Sequence, residues 1–231
     1  MAEAVNLMLT EGQHAMQRPV EIEFAGNIES EGGQKGRIYW LQIRPIIDRK
    51  EDVDEELMSL PDKELILRSN TALGHGTTDN ITRIVYVRPD TFCSFNNRAI
   101  AAEIADINKR MADRGEGYIL IGPGRWGSSD DALGIPVRWA DISSARLIVE
   151  TALNNYRIEP SQGTHFFQNL TSFGVGYFTV NPFGKDDYID QEFLDAQPAE
   201  YESGFVRVVN FSTPITIGID GRRTSGIVRK P

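Results

Sequence analysis

Three side chains open a chemical reading of this sequence. Glu23 lies in Pro19-Val20-Glu21-Ile22-Glu23-Phe24-Ala25, and Gln42 and Arg44 lie in Ile38-Tyr39-Trp40-Leu41-Gln42-Ile43-Arg44-Pro45-Ile46. Both segments alternate apolar and other side chains, which is the period of a strand. Residues 26–36 carry the glycines and the asparagine of a chain reversal, so the segments are expected to pair as a long-looped antiparallel hairpin. Gln42 and Arg44, two residues apart, then share a face, and Glu23 on the partner strand completes a polar cluster there. An acid, an amide and a guanidinium on one sheet face suit a metal-bound triphosphate. Carboxylate and amide oxygens ligate a hard cation, and the arginine fork holds phosphate. The same residues also fit an ordinary amphipathic hairpin with Glu23 and Arg44 merely solvated.

A second group sits in Gly122-Pro123-Gly124-Arg125-Trp126-Gly127-Ser128-Ser129-Asp130, directly after the strand expected at Tyr118–Ile121. Ligands of open α/β sheets gather beyond the carboxyl ends of strands, and a glycine-rich turn there can aim several N–H groups at one anion. The candidate anion site is Gly122, Gly124, Arg125 and Ser128, with Ser129 as an alternative hydroxyl and His165 as a further polar group. The turn lacks the Gly-Lys-Ser/Thr ending of a P-loop. Its other reading is a tight loop that needs glycine for its backbone angles, with Arg125 paired to Asp130 or Asp131. His165, followed by Phe166 and Phe167, is expected either partly buried and hydrogen-bonded or lining a pocket with Glu150. His75 stands between two glycines and His14 among polar neighbours; neither has the context of a catalytic or metal-ligating histidine.

The pattern P-x-E-I-E-F followed by Y-x-L-Q-x-R-P-I resembles the end of the ATP-grasp nucleotide-binding region of phosphoenolpyruvate synthase and pyruvate phosphate dikinase. The resemblance covers residues 1 to about 48, including a helical lead-in at Asn6–Gln17. It implies that Glu23 and Gln42 sit at Mg-ATP as metal ligands. It also implies that Arg44 meets the phosphate being transferred and is catalytic. It implies Mg²⁺ and ATP, and phosphoryl transfer toward pyruvate; the single cysteine separately makes an intracellular, cytoplasmic setting the simplest reading. The sequence departs from the family where no glycine-rich phosphate loop, G-G-x-T-S-H phosphohistidine loop or pyruvate-binding barrel can be found. The expectation is therefore a carboxy-terminal piece whose partner is a missing amino-terminal ATP-grasp portion, inactive alone.

The elements that must position these groups follow from patterning. Residues 49–62 hold an acidic run closed by Pro61 and read as a linker or a short exposed helix. Residues 63–231 read as a second domain. There Arg83–Arg88 is a strand covered on both faces, and Asn96–Arg114 is a helix with Ile100, Ile104, Ile107 and Met111 on one stripe and Gly115 as its stop. With Tyr118–Ile121 these make a right-handed βαβ unit. Ala145–Glu150 and Phe173–Val180 are further strands, Gly163–Ser172 a short helix, and residues 70–80 a loop. Residues 186–202 read as an exposed helix and loop. Phe205–Phe211, Ile215–Ile219 and Thr224–Val228 form a β tail with its turn at Asp220-Gly221. The expected fold is mixed α/β: an ATP-grasp-like closing hairpin, then an α/β domain with a central mixed sheet and a β-hairpin tail. Residues 63–231 also allow a regulatory anion-binding module or a capping and assembly domain.

At 231 residues the chain can bury a real core in one or two domains. A net charge of −9 argues against a nucleic-acid surface. Cys93, the single cysteine, allows no intrachain disulfide, and no apolar run approaches the roughly 18 residues of a membrane span. A homo-oligomer is expected because a lone hairpin leaves strand edges and apolar side chains to be covered.

Overall fold

The computed structural model describes residues 2–16, 20–27, 36–45, 53–130, 132–153, 156, 170 and 174–231, with the side chains of 44 and 45 excepted. The chain divides into two compact units, Met1–Arg49 and Lys50–Pro231. The first contains helix α1 (Ala2–Met16) and strands β1 (Val20–Asn27) and β2 (Arg37–Pro45), which pair antiparallel as expected.

The second unit is a mixed α/β fold built on a ten-stranded sheet. Its chain order begins with the short helix α2 (Glu55–Met58), then β3 (Leu65–Ser69), β4 (Thr71–Leu73), β5 (Gly76–Val87), helix α3 (Asn97–Arg114) and β6 (Tyr118–Pro123). A small ribbon of β7 (Arg125–Trp126) and β8 (Gly134–Ile135) precedes β9 (Ala145–Thr151), β10 (Gly176–Val180) and β11 (Tyr188–Ile189). Helix α4 (Gln191–Ala196), β12 (Ala199–Glu202), the long β13 (Val206–Asp220) and β14 (Ser225–Arg229) complete it.

Strands β5, β6, β9 and β10 run parallel, and α3 makes the crossover from β5 to β6. The helix forms where its stripe dictates: Ile100, Ile104, Ile107 and Met111 are all buried against the sheet, and Gly115 closes it at φ 68°. The parallel strands are apolar on both faces because both are covered. Val85, Leu120, Ile148 and Tyr177 belong to the core on the α3 side, while Ile84, Ile119, Leu147 and Phe178 belong to a second core on the other side.

That second core is enclosed by the sheet itself. In the strand order β11-β3-β14-β13-β5-β6-β9-β10-β4, β3 and β4 stand near opposite ends, yet only Asn70 separates them in the chain. One bent segment therefore pairs with β14 through its first half and with β10 through its second. The Ser69 hydroxyl donates to Thr179 O at 2.6 Å, and Ala72 N–H donates to Thr224 O at 2.8 Å, tying the ends together. Closure of this kind removes strand edges that would otherwise recruit other chains.

Three expectations change. Residues 70–80 are mostly strand rather than loop, since Thr71–Leu73 and Gly76–Val87 are both paired. The segments 205–211 and 215–219 belong to one long strand, β13; its pairing with β5 shifts between Asn210 and Ile215, where Pro214 has no N–H to offer. Residues 186–202 contribute β11 and β12 as well as a helix. The acidic stretch carries the short helix that is one of its two readings, packed on the second unit: Asp54 caps α2 through Glu56 N–H and Leu57 N–H, and Leu57 is buried with Leu65 and Ile227. The helix expected at 163–172 lies outside the described residues save Leu170, which is buried. Among the described residues no helix is long and apolar enough to cross a membrane.

Candidate functional site

The hairpin register decides which side chains meet. Val20 is opposite Pro45, Glu21 opposite Arg44, Ile22 opposite Ile43 and Glu23 opposite Gln42. Directly opposed residues of an antiparallel pair share a face, and alternate residues along a strand return to it. The backbone therefore brings positions 21, 23, 42 and 44 onto one face of the sheet. Val20, Ile22 and Ile43 occupy the other face, where α1 packs with Gly12 against Val20 and Ile43. A bulge follows Glu23, and pairing resumes with Phe24 opposite Trp40, whose indole N–H donates to Gln42 O at 3.3 Å.

The expected set of Glu23, Gln42 and Arg44 is thus placed on one face by its backbone, while the Arg44 side chain lies outside the described part. Sequence reasoning missed Glu21, which faces position 44 across the ladder. Its signal was available, because Glu21 precedes Glu23 by the two residues of a strand period. Among the described residues no group of three or more His, Cys, Asp or Glu side chains is placed to hold a metal ion. A hard cation on this face would need non-protein oxygens as well. Mg²⁺ is ordinarily held in just that way, by one or two carboxylates plus phosphate oxygens.

The glycine-rich turn after β6 is built differently from the anion nest expected of it. Gly124 N–H donates to Thr151 O, Arg125 N–H to Leu133 O and Gly127 N–H to Ile135 O. Trp126 N–H donates to Glu150 Oε1 at 3.0 Å. Ser128 is engaged locally: its hydroxyl donates to Asp130 O and accepts from Asp130 N–H. The backbone N–H groups of Gly124, Arg125, Trp126 and Gly127 thus bond within the protein, one of them to a carboxylate, rather than converging as a nest for an anion.

The turn's sequence instead seats a tryptophan. Trp126 is 1% exposed, and its indole N–H donates to Val149 O at 3.0 Å. A Cβ on Gly122 would run into the Trp126 ring, and Gly124 sits at φ 70°, the left-handed region that favours glycine. Glu150, at the end of β9, is 3% exposed and holds this arrangement: its Oε2 accepts from the Tyr177 hydroxyl at 2.6 Å. Thr179 in turn donates to the Tyr177 oxygen at 3.3 Å. Nearby, Tyr156 stacks obliquely on Phe92 at 5.1 Å, and burial pushes its phenol above the ordinary tyrosine value.

Tyr177 is the partner of Glu150 that sequence reasoning did not name; nothing in the spacing of residues 150 and 177 points to it, since parallel β9–β10 pairing creates the contact. His165 and Asp131 lie outside the described residues. His75 accepts the Gly221 N–H at 3.3 Å, which ties it to the β13–β14 turn. Comparison of the chain with protein-family models, with curated proteins and with solved structures gives no match.

Proposed function

We propose that the Met1–Arg49 unit contributes the metal–phosphate face of an ATP-dependent phosphotransferase similar to phosphoenolpyruvate synthase and pyruvate phosphate dikinase. The observation that carries this reading is the register: Glu23 opposite Gln42, and Glu21 opposite Arg44, on the face turned away from the packed helix. Acid, amide and guanidinium groups are the oxygen donors and the cation that a metal-bound triphosphate requires.

Each residue has a separable role. The Glu23 carboxylate and the Gln42 amide oxygen would hold Mg²⁺. A Mg²⁺ ion held by these two side chains would supply neutralisation of the phosphate charge. The Arg44 guanidinium binds the transferring phosphoryl group and offsets charge that develops on it. The remaining nucleotide contacts come from an amino-terminal ATP-grasp portion, so this chain alone transfers nothing, and the setting is the cytoplasm. Phosphoryl transfer measured on the protein carrying that portion tests the reading. Glu23→Gln keeps the side chain's shape but removes its charge, and should raise the half-saturating Mg²⁺ concentration about tenfold or more, equivalent to about 1.4 kcal/mol. An unchanged Mg²⁺ requirement would remove Glu23 from the metal.

A further inference from the structure

One strand of the large sheet is fastened by charge rather than by burial. The long β13 outruns β14, which pairs with it only over Thr216–Asp220. Its Val206–Asn210 half pairs with β5, and β12 is set against Arg207, Val208 and Val209. None of the four residues of β12 is buried, Tyr201 alone is partly so, and a bulge between Ala199 and Tyr201 interrupts the pairing. Val208 and Val209 opposite are each 1% exposed, so the apolar hold of this stretch belongs to β13.

The acids of β12 are each held twice. Glu200 meets Arg83 at 2.8 Å and Arg114 at 3.3 Å, and Glu202 meets Arg88 at 2.9 Å and Arg207 at 3.1 Å. Four arginines thus converge on one short strand, in a chain whose net charge is −9. The Glu200 and Glu202 side chains remain 29% and 38% exposed, so dissolved ions reach them.

We propose that β12 is an electrostatic latch, which opens locally ahead of the rest of the sheet and loosens as salt is added. Opening uncovers the outer edge of β13 at Arg207–Val209 and frees the four arginines. The latch is independent of the phosphotransferase reading. Segments with few buried apolar contacts and solvent-exposed backbone bonds open at the least cost. Surface ion pairs contribute little one by one, and ions screen them over a length of about 10 Å at 0.1 M salt but only about 3 Å at 1 M. Strand β14 is the contrasting case: Ile227 and Val228 are 1% and 0% exposed, so burial holds it.

Hydrogen–deuterium exchange on the 231-residue chain tests the latch, under conditions where exchange reports the opening equilibrium. Between about 0.05 M and about 1 M sodium chloride, the amides of Ala199–Glu202 should exchange about tenfold faster, and those of β14 less than about twofold faster. Glu200→Gln/Glu202→Gln keeps the side-chain shapes and removes both charges. At the lower salt it should exchange in β12 about as fast as wild type does at the higher, and it should lose most of the salt response. Salt-independent exchange in wild-type β12, protection of β12 equal to that of β14, or a full salt response in the double variant overturns the proposal. So does a double variant that fails to fold, because β12 would then belong to the cooperative fold rather than open from it.

Discussion

Trp126→Ala is expected to remove about 3–5 kcal/mol from the stability of the Lys50–Pro231 unit, the range for deleting a fully buried large aromatic. The side chain is 1% exposed, within the core between α3 and the parallel strands. Its indole N–H donates to Val149 O, so truncation also leaves a buried carbonyl without that donor. Domains are commonly stable by only about 5–15 kcal/mol, so the loss is a large share of the whole. Urea unfolding followed by circular dichroism should show the midpoint falling with the slope unchanged. Trp126→Phe retains most of the packing and loses the indole donor, and should fall between wild type and alanine. A loss below about 1 kcal/mol in Trp126→Ala would mean that the turn is not anchored as described.

Arg44→Ala is expected to reduce phosphoryl transfer about a hundredfold, equivalent to about 3 kcal/mol of transition-state stabilisation. In the role proposed for it, the Arg44 guanidinium would meet more charge in the transition state than in the bound nucleotide. The fall should therefore appear in kcat as well as in kcat/KM. Arg44→Lys retains the charge but not the planar fork, and should recover only part of the rate. Full activity in Arg44→Ala would end the role proposed for that residue.

Local pattern made some of this molecule legible and concealed the rest. The stripe from Ile100 to Met111 and the glycine after Arg114 specify α3, because periodicity and cap agree. The alternation around Glu23 and Gln42 identifies a hairpin, and the register pairs those two residues. The closure of the sheet was not readable: Asn70, Gly74 and Gly76 look like loop residues, and only pairing with β14 and β10 makes their neighbours strands. In the acidic stretch the short helix was legible but the burial of Leu57 was not, because that one anchor follows two glutamates.

The glycine-rich turn shows the limit more clearly. Its glycines were visible, but their purpose depended on Thr151, Leu133, Ile135 and Glu150, which the fold brings in from elsewhere in the chain. A loop that exposes its N–H groups to a ligand and one that closes around a tryptophan carry the same local signature. The acceptors distinguish them, and acceptors are a tertiary property.

The proposed nucleotide face is tested most directly by a structure of this chain joined to the amino-terminal ATP-grasp portion that the proposal requires, bound to Mg²⁺ and a non-hydrolysable ATP analogue. The expected result is a metal held by Glu23 and Gln42, with Arg44 in contact with the nucleotide phosphates. Nucleotide phosphates bound elsewhere, with Glu23, Gln42 and Arg44 making no contact to metal or phosphate, would contradict it.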